Sequence, residues 1–360
     1  MKKKTFFDSR DKYLSFVNST NEKSKIAFYL SEKIGKISIQ SSVFKVFDAG
    51  TGEGTIISTF LSALHKSLPS KPIFVVGKEI SIDDINVLLS FLGDRFAEHK
   101  TLIFNITNCN YKDLTNLTPN NVKFEKLELV GNKGIDFTKT LMNLSPYVRK
   151  NWKLSFDRSK GIIKPKSKIF LSIYRKDQKR FLNHLIPKNI SEVPKKYDFI
   201  IASQCFKLRS PLVKIVKNII QPLLSLLNLK GQMFLIYSSG KDFTKSFLKY
   251  YYPNIRFYNN SEPKKLISQI KKYIEKDKFK IKLKRLKYTF NNLSINLKEF
   301  SFNNIFSVWN AVNYVGQVSE IEQKKNLLNK KNIFILQKKL SKLKKIYFED
   351  NIVNFRKERL

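Results

Sequence analysis

Apolar positions along the chain follow two alternating periods. Short, almost wholly apolar runs occupy residues 43–48, 72–76 and 101–107, the lengths of buried strands. Between them, residues 55–68 carry Ile56, Ile57, Phe60, Leu61 and Leu64 at the spacing of one helix face, and residues 82–92 have the same period. Strand and helix thus alternate over the first hundred residues, which predicts a parallel sheet with crossover helices. The alternation resumes with a strand at 197–203, a helix over 213–227 and a strand at 233–237. Ahead of the first strand, residues 11–36 predict helix in two pieces. Tyr13, Phe16 and Val17 form one apolar group, and Ile26, Ala27, Tyr29, Leu30 and Ile34 form another after a Ser/Thr/Asn break at 18–21.

Three stretches depart from this rhythm. Residues 109–196 are too long for a simple loop. They contain strand patterns at 123–129, 152–156 and 169–174, and predict an inserted α+β subdomain. Residues 279–299 predict a β-hairpin across Asn291 and Asn292. In its first arm Phe279, Ile281 and Leu283 give way to Leu286, Tyr288 and Phe290, a phase change that predicts a bulge near Lys284 and Arg285. Residues 301–360 are mainly helical in pattern. The chain therefore divides into an N-terminal helical segment (1–37), a domain over 38–300 interrupted by the insertion 109–196, and a helical C-terminal extension (301–360).

Composition adds one strong asymmetry. Lys and Arg number 68 against 29 Asp and Glu, a formal charge of +39 in 360 residues. Such a field attracts nucleic acid, anionic lipid or acidic ligands. The abundance of Lys, Asn, Ile and Phe also fits an AT-rich coding bias, but scarce Glu does not follow from that bias. Two cysteines, Cys109 and Cys205, exclude a disulfide framework, and His65, His99 and His184 are too scattered for a metal constellation. Charge interrupts the first eight residues too early for a signal-peptide core, and no apolar run reaches the ~18 residues of a membrane span, so the expected location is cytoplasmic.

The candidate chemistry lies at the end of the first strand, in Asp48-Ala49-Gly50-Thr51-Gly52-Glu53-Gly54. Glycines there permit positive φ and close ligand approach, and the following helix start presents free N–H groups. Glu79 follows Gly54 by 79 − 54 = 25 residues and ends the next strand, close to the ~20-residue spacing at which a carboxylate meets ribose hydroxyls. A dinucleotide fingerprint, G-x-G-x-x-G/A, fails because Thr55 occupies its last position. Residues 46–54 instead resemble motif I of the class I S-adenosylmethionine (SAM)-dependent methyltransferases. Val75 to Ser81 resembles that family's second strand and ribose-binding acid, Lys196 to Ser203 its fourth strand, and Leu229 to Ile236 its fifth, with Gln232 where the family often has Gly. The resemblance covers roughly residues 40–110 and 195–300.

It implies a Rossmann-like, doubly wound seven-stranded sheet whose last strand is antiparallel. It also implies SAM as cofactor, with Gly50, Gly52 and Gly54 around the methionine part, Asp48 at the amino-acid end and Glu79 on the ribose. Asn108 would sit near the adenine, where the family often has an acid, and Thr51, Ile80 and Ser203 complete the set. Methyl transfer is an in-line displacement that needs positioning and water exclusion and requires no metal. No general base is identifiable in the sequence.

The acceptor is expected at the carboxyl end of the fourth strand, where Ser203-Gln204-Cys205-Phe206 resembles the [DNS]-P-P-[YF] of nucleobase and amide methyltransferases only at its ends. Gln204 and Phe206 are acceptor-binding candidates, as are Tyr174 and Arg175 in the insertion and Trp309 near the C-terminus. Cys205 reads as a buried thiol. Arg149 to Arg180 interleaves cations with Trp152, Phe156, Phe170 and Tyr174, as nucleic-acid surfaces do. Residues 331–347 form an amphipathic pattern through Leu336, Leu340, Leu343 and Tyr347 that suits docking on the protein or an anionic membrane surface. Three functions follow: a methyltransferase for a small-molecule acceptor, an RNA-directed methyltransferase, and a non-catalytic nucleic-acid or membrane-surface binder with the same fold.

Overall fold

The structure is a computed structural model that describes residues 10–35, 41–116, 118, 122–157, 162–208, 210–240, 242–253, 262–275, 278–291, 302–318, 323, 330–340 and 346–359. Its strands are β1 (Phe44–Asp48), β2 (Ile73–Lys78), β3 (Leu102–Thr107), β4 (Lys123–Leu129), β5 (Leu154–Asp157), β6 (Ile162–Pro165), β7 (Ile169–Arg175), β8 (Tyr197–Ser203), β9 (Leu227–Ser238), β10 (Phe279–Tyr288) and β11 (Phe348–Lys357). The first six helices are α1 (Arg10–Ser19), α2 (Glu22–Ile34), α3 (Thr55–Ser67), α4 (Ile82–Glu98), α5 (Gly134–Met142) and α6 (Ser145–Asn151).

One mixed sheet organises the molecule, in the order β10-β11-β9-β8-β1-β2-β3-β7-β4, while β5 and β6 form a separate hairpin. The five strands from β9 to β3 run parallel. They are apolar nearly throughout because both faces are covered. Phe47, Phe74 and Val76 face one core, with Ile215 to Leu224 and the helix Pro263–Ile270. Phe44, Val46 and Val75 face the other, with α2, α3 and α4. β1 pairs with β2 on one side and β8 on the other, so chain connections leave it in opposite directions. In open sheets of this kind ligands bind at such a reversal, here the carboxyl ends of β1 and β8.

The sheet has nine strands among the described residues, not seven. β7 pairs antiparallel with β3, and β4 parallel with β7, so the stretch expected as an inserted subdomain prolongs the main sheet beyond β3. β4, β5 and β7 lie close to where the apolar pattern predicts them, while β6 is not among the expected strands.

The C-terminal expectation needs a larger correction. The partner of β10 is β11, which lies antiparallel between β9 and β10, so the end of the chain is a sheet strand rather than part of a helical extension. The second arm of the expected hairpin, 293–299, lies outside the described residues. No bulge interrupts β10, whose register with β11 is continuous from Phe279↔Lys357 to Tyr288↔Phe348. The phase change has another cause. Phe279 and Ile281 pack on the core of one face, whereas Leu286 packs on the core of the opposite face.

A third apolar cluster joins Phe16 of α1 to the helices Phe243–Tyr251, Phe302–Val315 and Lys330–Leu340. Leu336 and Leu340 are buried there, while Leu343 lies outside the described residues. The N-terminal segment is tied to this cluster and to the end of β10: Asn310 Nδ2 donates to Lys12 O (3.0 Å) and Thr289 N to Asn21 Oδ1 (2.8 Å). Among the described residues no helix is long and apolar enough to cross a membrane.

Candidate cofactor site

The turn after β1 is held from both sides by backbone bonds. Ala49 N donates to Ile201 O of β8 (2.8 Å), and Thr51 N to Lys78 O of β2 (3.1 Å). Gly52 and Gly54 have φ of +57° and +95°, the left-handed region that strains any residue with a Cβ. At Gly54 a Cβ would also stand 2.6 Å from Leu88 Cδ1, so the glycine lets α3 start directly against α4.

Glu79 joins the turn to β2. Its Oε2 accepts from Gly52 N (2.9 Å), and its Oε1 accepts from Ile80 N (2.7 Å) and Ser81 N (2.8 Å). Ser81 caps α4 by accepting from Asp84 N (3.3 Å). Trp152, from the stretch beyond β3, donates its indole N–H to Glu79 O (3.0 Å) and fixes the backbone behind the carboxylate. The indole is fully buried, so its place in the basic stretch 149–180 is structural; Phe170 and Tyr174 of that stretch are buried too.

Asp48 is 1% exposed. Gly50 N approaches its Oδ1 at 3.5 Å, and its Oδ2 has no hydrogen-bond partner. Burial pushes its carboxyl up to about 7, against the lowering effects of Gly50 N–H and Lys23, and Glu79 and Glu53 add to the rise. Thr51 Oγ1 and Ser203 Oγ are likewise buried without a partner. An unsatisfied buried polar atom costs ~1–3 kcal/mol. Three such atoms around one glycine turn mark a place built for a polar ligand.

On the β3 side, the Tyr111 hydroxyl donates to Ala49 O (2.5 Å), and the Lys78 ammonium lies 4.8 Å from the Tyr111 ring centroid. Burial lowers the Lys78 ammonium, and burial pushes the Cys205 thiol up to about 12, in keeping with an inert thiol.

Beyond the turn lies a buried charged layer. Tyr13 of α1 donates its hydroxyl to Glu53 Oε2 and stands where a Cβ on Gly52 would project. Gln204, at φ +49°, follows β8 and donates its Nε2 to both Glu22 Oε1 (3.0 Å) and Asp350 Oδ1 (3.2 Å). Burial and the Glu22 charge hold the Asp350 carboxyl well above the usual carboxylate range. Burial alone would lower Lys23, but Glu22, Glu53 and Asp350 outweigh it and keep the ammonium strongly protonated. Sequence patterns contain no sign of this layer. Asp350 lies in a segment whose pattern predicts helix, and Glu22 and Lys23 resemble ordinary first-turn charges.

The fold therefore brings Asp48, Gly50, Thr51, Gly52, Gly54, Glu79, Ile80 and Ser203 together, with Gln204 beside them. Phe206 is buried against Tyr237, with ring centroids 5.5 Å apart, and backs the crevice. Asn108 follows Thr107, whose carbonyl accepts from Glu79 N (2.9 Å), so it stays at this edge of the sheet, and three candidates fall elsewhere. The Asn108 side chain clamps β3 to the start of β7: Nδ2 donates to Ser167 O (2.9 Å) and Oδ1 accepts from Ile169 N (2.8 Å). Tyr174 pairs with Ile103, at the opposite edge of the sheet from the crevice, because β7 runs antiparallel to β3. Its neighbour Arg175 pairs with Asp177 (2.6 Å) and donates to Phe96 O (3.3 Å). Trp309 is core, packed edge-on against Phe247 and Tyr251.

No family model and no curated protein sequence matches the chain. Among solved structures it is similar to a Listeria monocytogenes protein assigned to the class I SAM-dependent methyltransferases, with 9% identity over 94% of this chain and 60% of that one, at a TM-score of 0.37. It is similar to Haemonchus contortus phosphoethanolamine N-methyltransferase 2 bound to phosphomonomethylethanolamine and S-adenosylhomocysteine, with 9% identity over 92% of this chain and 53% of that one, at a TM-score of 0.33. The cyclase SpnF gives 9% identity over 91% and 80% at a TM-score of 0.35. The chain thus spans 60% and 53% of the first two proteins' lengths. At these scores the likenesses carry no weight for function.

Proposed function

We propose that the chain binds SAM at the Asp48–Gly54 turn and transfers its methyl group to an acceptor at the carboxyl end of β8. The observation that carries this reading is the bond from Gly52 N to Glu79 Oε2, which makes the glycine turn and the acid of the next strand one site. The antiparallel last strand agrees with the same family resemblance.

The residues present fit the cofactor. The unpartnered Asp48 Oδ2 suits an ammonium group, Thr51 Oγ1 and Ser203 Oγ suit a carboxylate or hydroxyl, and Glu79 suits ribose hydroxyls. When bound, SAM supplies an electrophilic methyl on a sulfonium. The chain supplies position and dryness. The Tyr13–Glu53 bond holds α1 over the turn, and Gln204 faces the acceptor side with Glu22 and Asp350 behind it. Burial and the Glu22 charge hold the Asp350 carboxyl well above the usual carboxylate range, so a proton is kept beside Gln204. A small-molecule acceptor suits a crevice covered by α1.

The test is thermal unfolding with S-adenosylhomocysteine. At about a hundred times Kd, a ligand specific for the folded state adds about 2.7 kcal/mol. A clear rise in Tm supports the reading, and an unchanged Tm at saturating concentrations rejects it.

A further inference from the structure

We infer a second binding site, away from the crevice, for single-stranded RNA: a cationic groove between α2 and the edge strand β10. It encloses about 330 Å³ and is lined by Tyr29, Lys33, Gln232, Lys280, Lys282, Leu283, Lys284, Asn354 and Arg356. Five of these residues are cations and none is an acid. The Lys33 and Lys284 ammonium groups lie 4.4 and 4.7 Å from the Tyr29 ring centroid, which gathers two like charges at one place. Acids pair with two of the five, Lys33 with Glu32 (3.8 Å) and Arg356 with Glu358 (3.4 Å), so the cations still outnumber the acids near them.

The spacing suits a phosphodiester chain. Lys280, Lys282 and Lys284 are alternate, exposed residues of β10, so their side chains leave one face about 6.8 Å apart, twice the ~3.4 Å strand rise. A nucleic-acid strand advances ~3.4 Å per phosphate in a duplex, and an extended single strand about doubles that. The lysine ladder therefore meets successive phosphates of an extended single strand.

Asn354 favours RNA. Its Nδ2 donates to Gln232 Oε1 (3.1 Å), while its Oδ1 is buried with no hydrogen-bond partner. Phosphates carry no donor for that oxygen, whereas a ribose 2′-hydroxyl does. The ring of Tyr29 is buried against Phe234, so recognition runs through the backbone and not through base stacking.

The groove lies toward the amino-terminal half of β9, at Gln232. The crevice lies at the level of Ile236, which pairs with Ser203, four residues or about 13 Å further along the strand. The inference is thus independent of methyl transfer.

The test is fluorescence anisotropy of a short, unstructured RNA oligonucleotide across about 50–200 mM salt. A Lys280→Gln/Lys282→Gln/Lys284→Gln variant is compared with Lys264→Gln/Lys271→Gln/Lys272→Gln, an equal charge change on another exposed basic patch. Each phosphate contact contributes about 0.7 to the single-strand salt slope, so the groove variant loses about 2 from the slope and binds about tenfold more weakly, while the control loses less than threefold. Asn354→Ala narrows the preference for RNA over DNA of the same sequence. Equal losses in the two triple variants overturn the groove assignment. Tighter binding of duplex, or of DNA, overturns the single-stranded RNA assignment. Loss of binding to anionic vesicles with RNA binding intact overturns both.

Discussion

Asp48 couples cofactor binding to pH in a direction fixed by its burial. In an unfolded chain an aspartate titrates near 3.9. In the folded protein it titrates at about 7, first because of burial. The difference is about 3 units, or about 4 kcal/mol at 1.36 kcal/mol per unit. The folded state binds the proton more tightly, so stability from this residue is full below about pH 4 and falls as pH rises toward 7. Above that, the ligand-free protein holds a carboxylate whose Oδ2 has no partner. An ammonium group placed there offsets the cost. Affinity for SAM and S-adenosylhomocysteine should therefore rise about tenfold per pH unit between about 5.5 and 7, then level off. Asp48→Asn should abolish that slope and weaken binding. It should also stabilise the ligand-free protein at pH 8 by up to about 4 kcal/mol, with no effect near pH 4. Calorimetric titration across the pH range measures the first effect and denaturant unfolding at the two pH values the second. Flat affinity from pH 5.5 to 7, or an Asp48→Asn variant that keeps the slope, refutes the assignment.

Other residues give separate outcomes. Glu79→Ala leaves the N–H groups of Gly52, Ile80 and Ser81 without their acceptor and removes the ribose contact. Cofactor affinity should fall about thirtyfold or more, by about 2–4 kcal/mol for bonds to a charged group; unchanged affinity removes the ribose role. Gly54→Ala forces a Cβ at φ +95° and within 2.6 Å of Leu88 Cδ1, and should cost about 2–4 kcal/mol in denaturant unfolding. Glu22→Gln weakens the bond that positions the Gln204 amide and should lower the rate of methyl transfer while leaving the SAM Kd within about twofold. Equal loss of binding would make Glu22 part of the cofactor site instead.

Much of the fold was legible because a parallel sheet covered on both faces writes itself as short apolar runs between amphipathic helices. Phe44 to Asp48, Ile73 to Val76 and Tyr197 to Ser203 follow that rule. The C-terminus did not, because β11 is a strand whose polar residues are themselves buried: Glu349, Asp350 and Asn351 face partners from distant segments. No local pattern announces a buried acid whose partners are Glu22 and Gln204. The phase change in β10 misled for a related reason, since its two ends are covered on opposite faces.

At the site, the glycines and Glu79 were legible because left-handed turns and a strand-ending acid leave a residue signature. Tyr174 and Arg175 misled because the pattern cannot tell which way an added strand runs. β7 is antiparallel to β3, which sends Arg175 away from the crevice and engages Asn108 at the strand start.

The central claim is that Asp48 to Gly54 and Glu79 form a SAM site. Calorimetric titration of the protein with SAM, S-adenosylhomocysteine and NAD(P)H tests it most directly. The account predicts saturable binding of both sulfur nucleosides, lost on Glu79→Ala, and none of the dinucleotide; binding of NAD(P)H without SAM would contradict it.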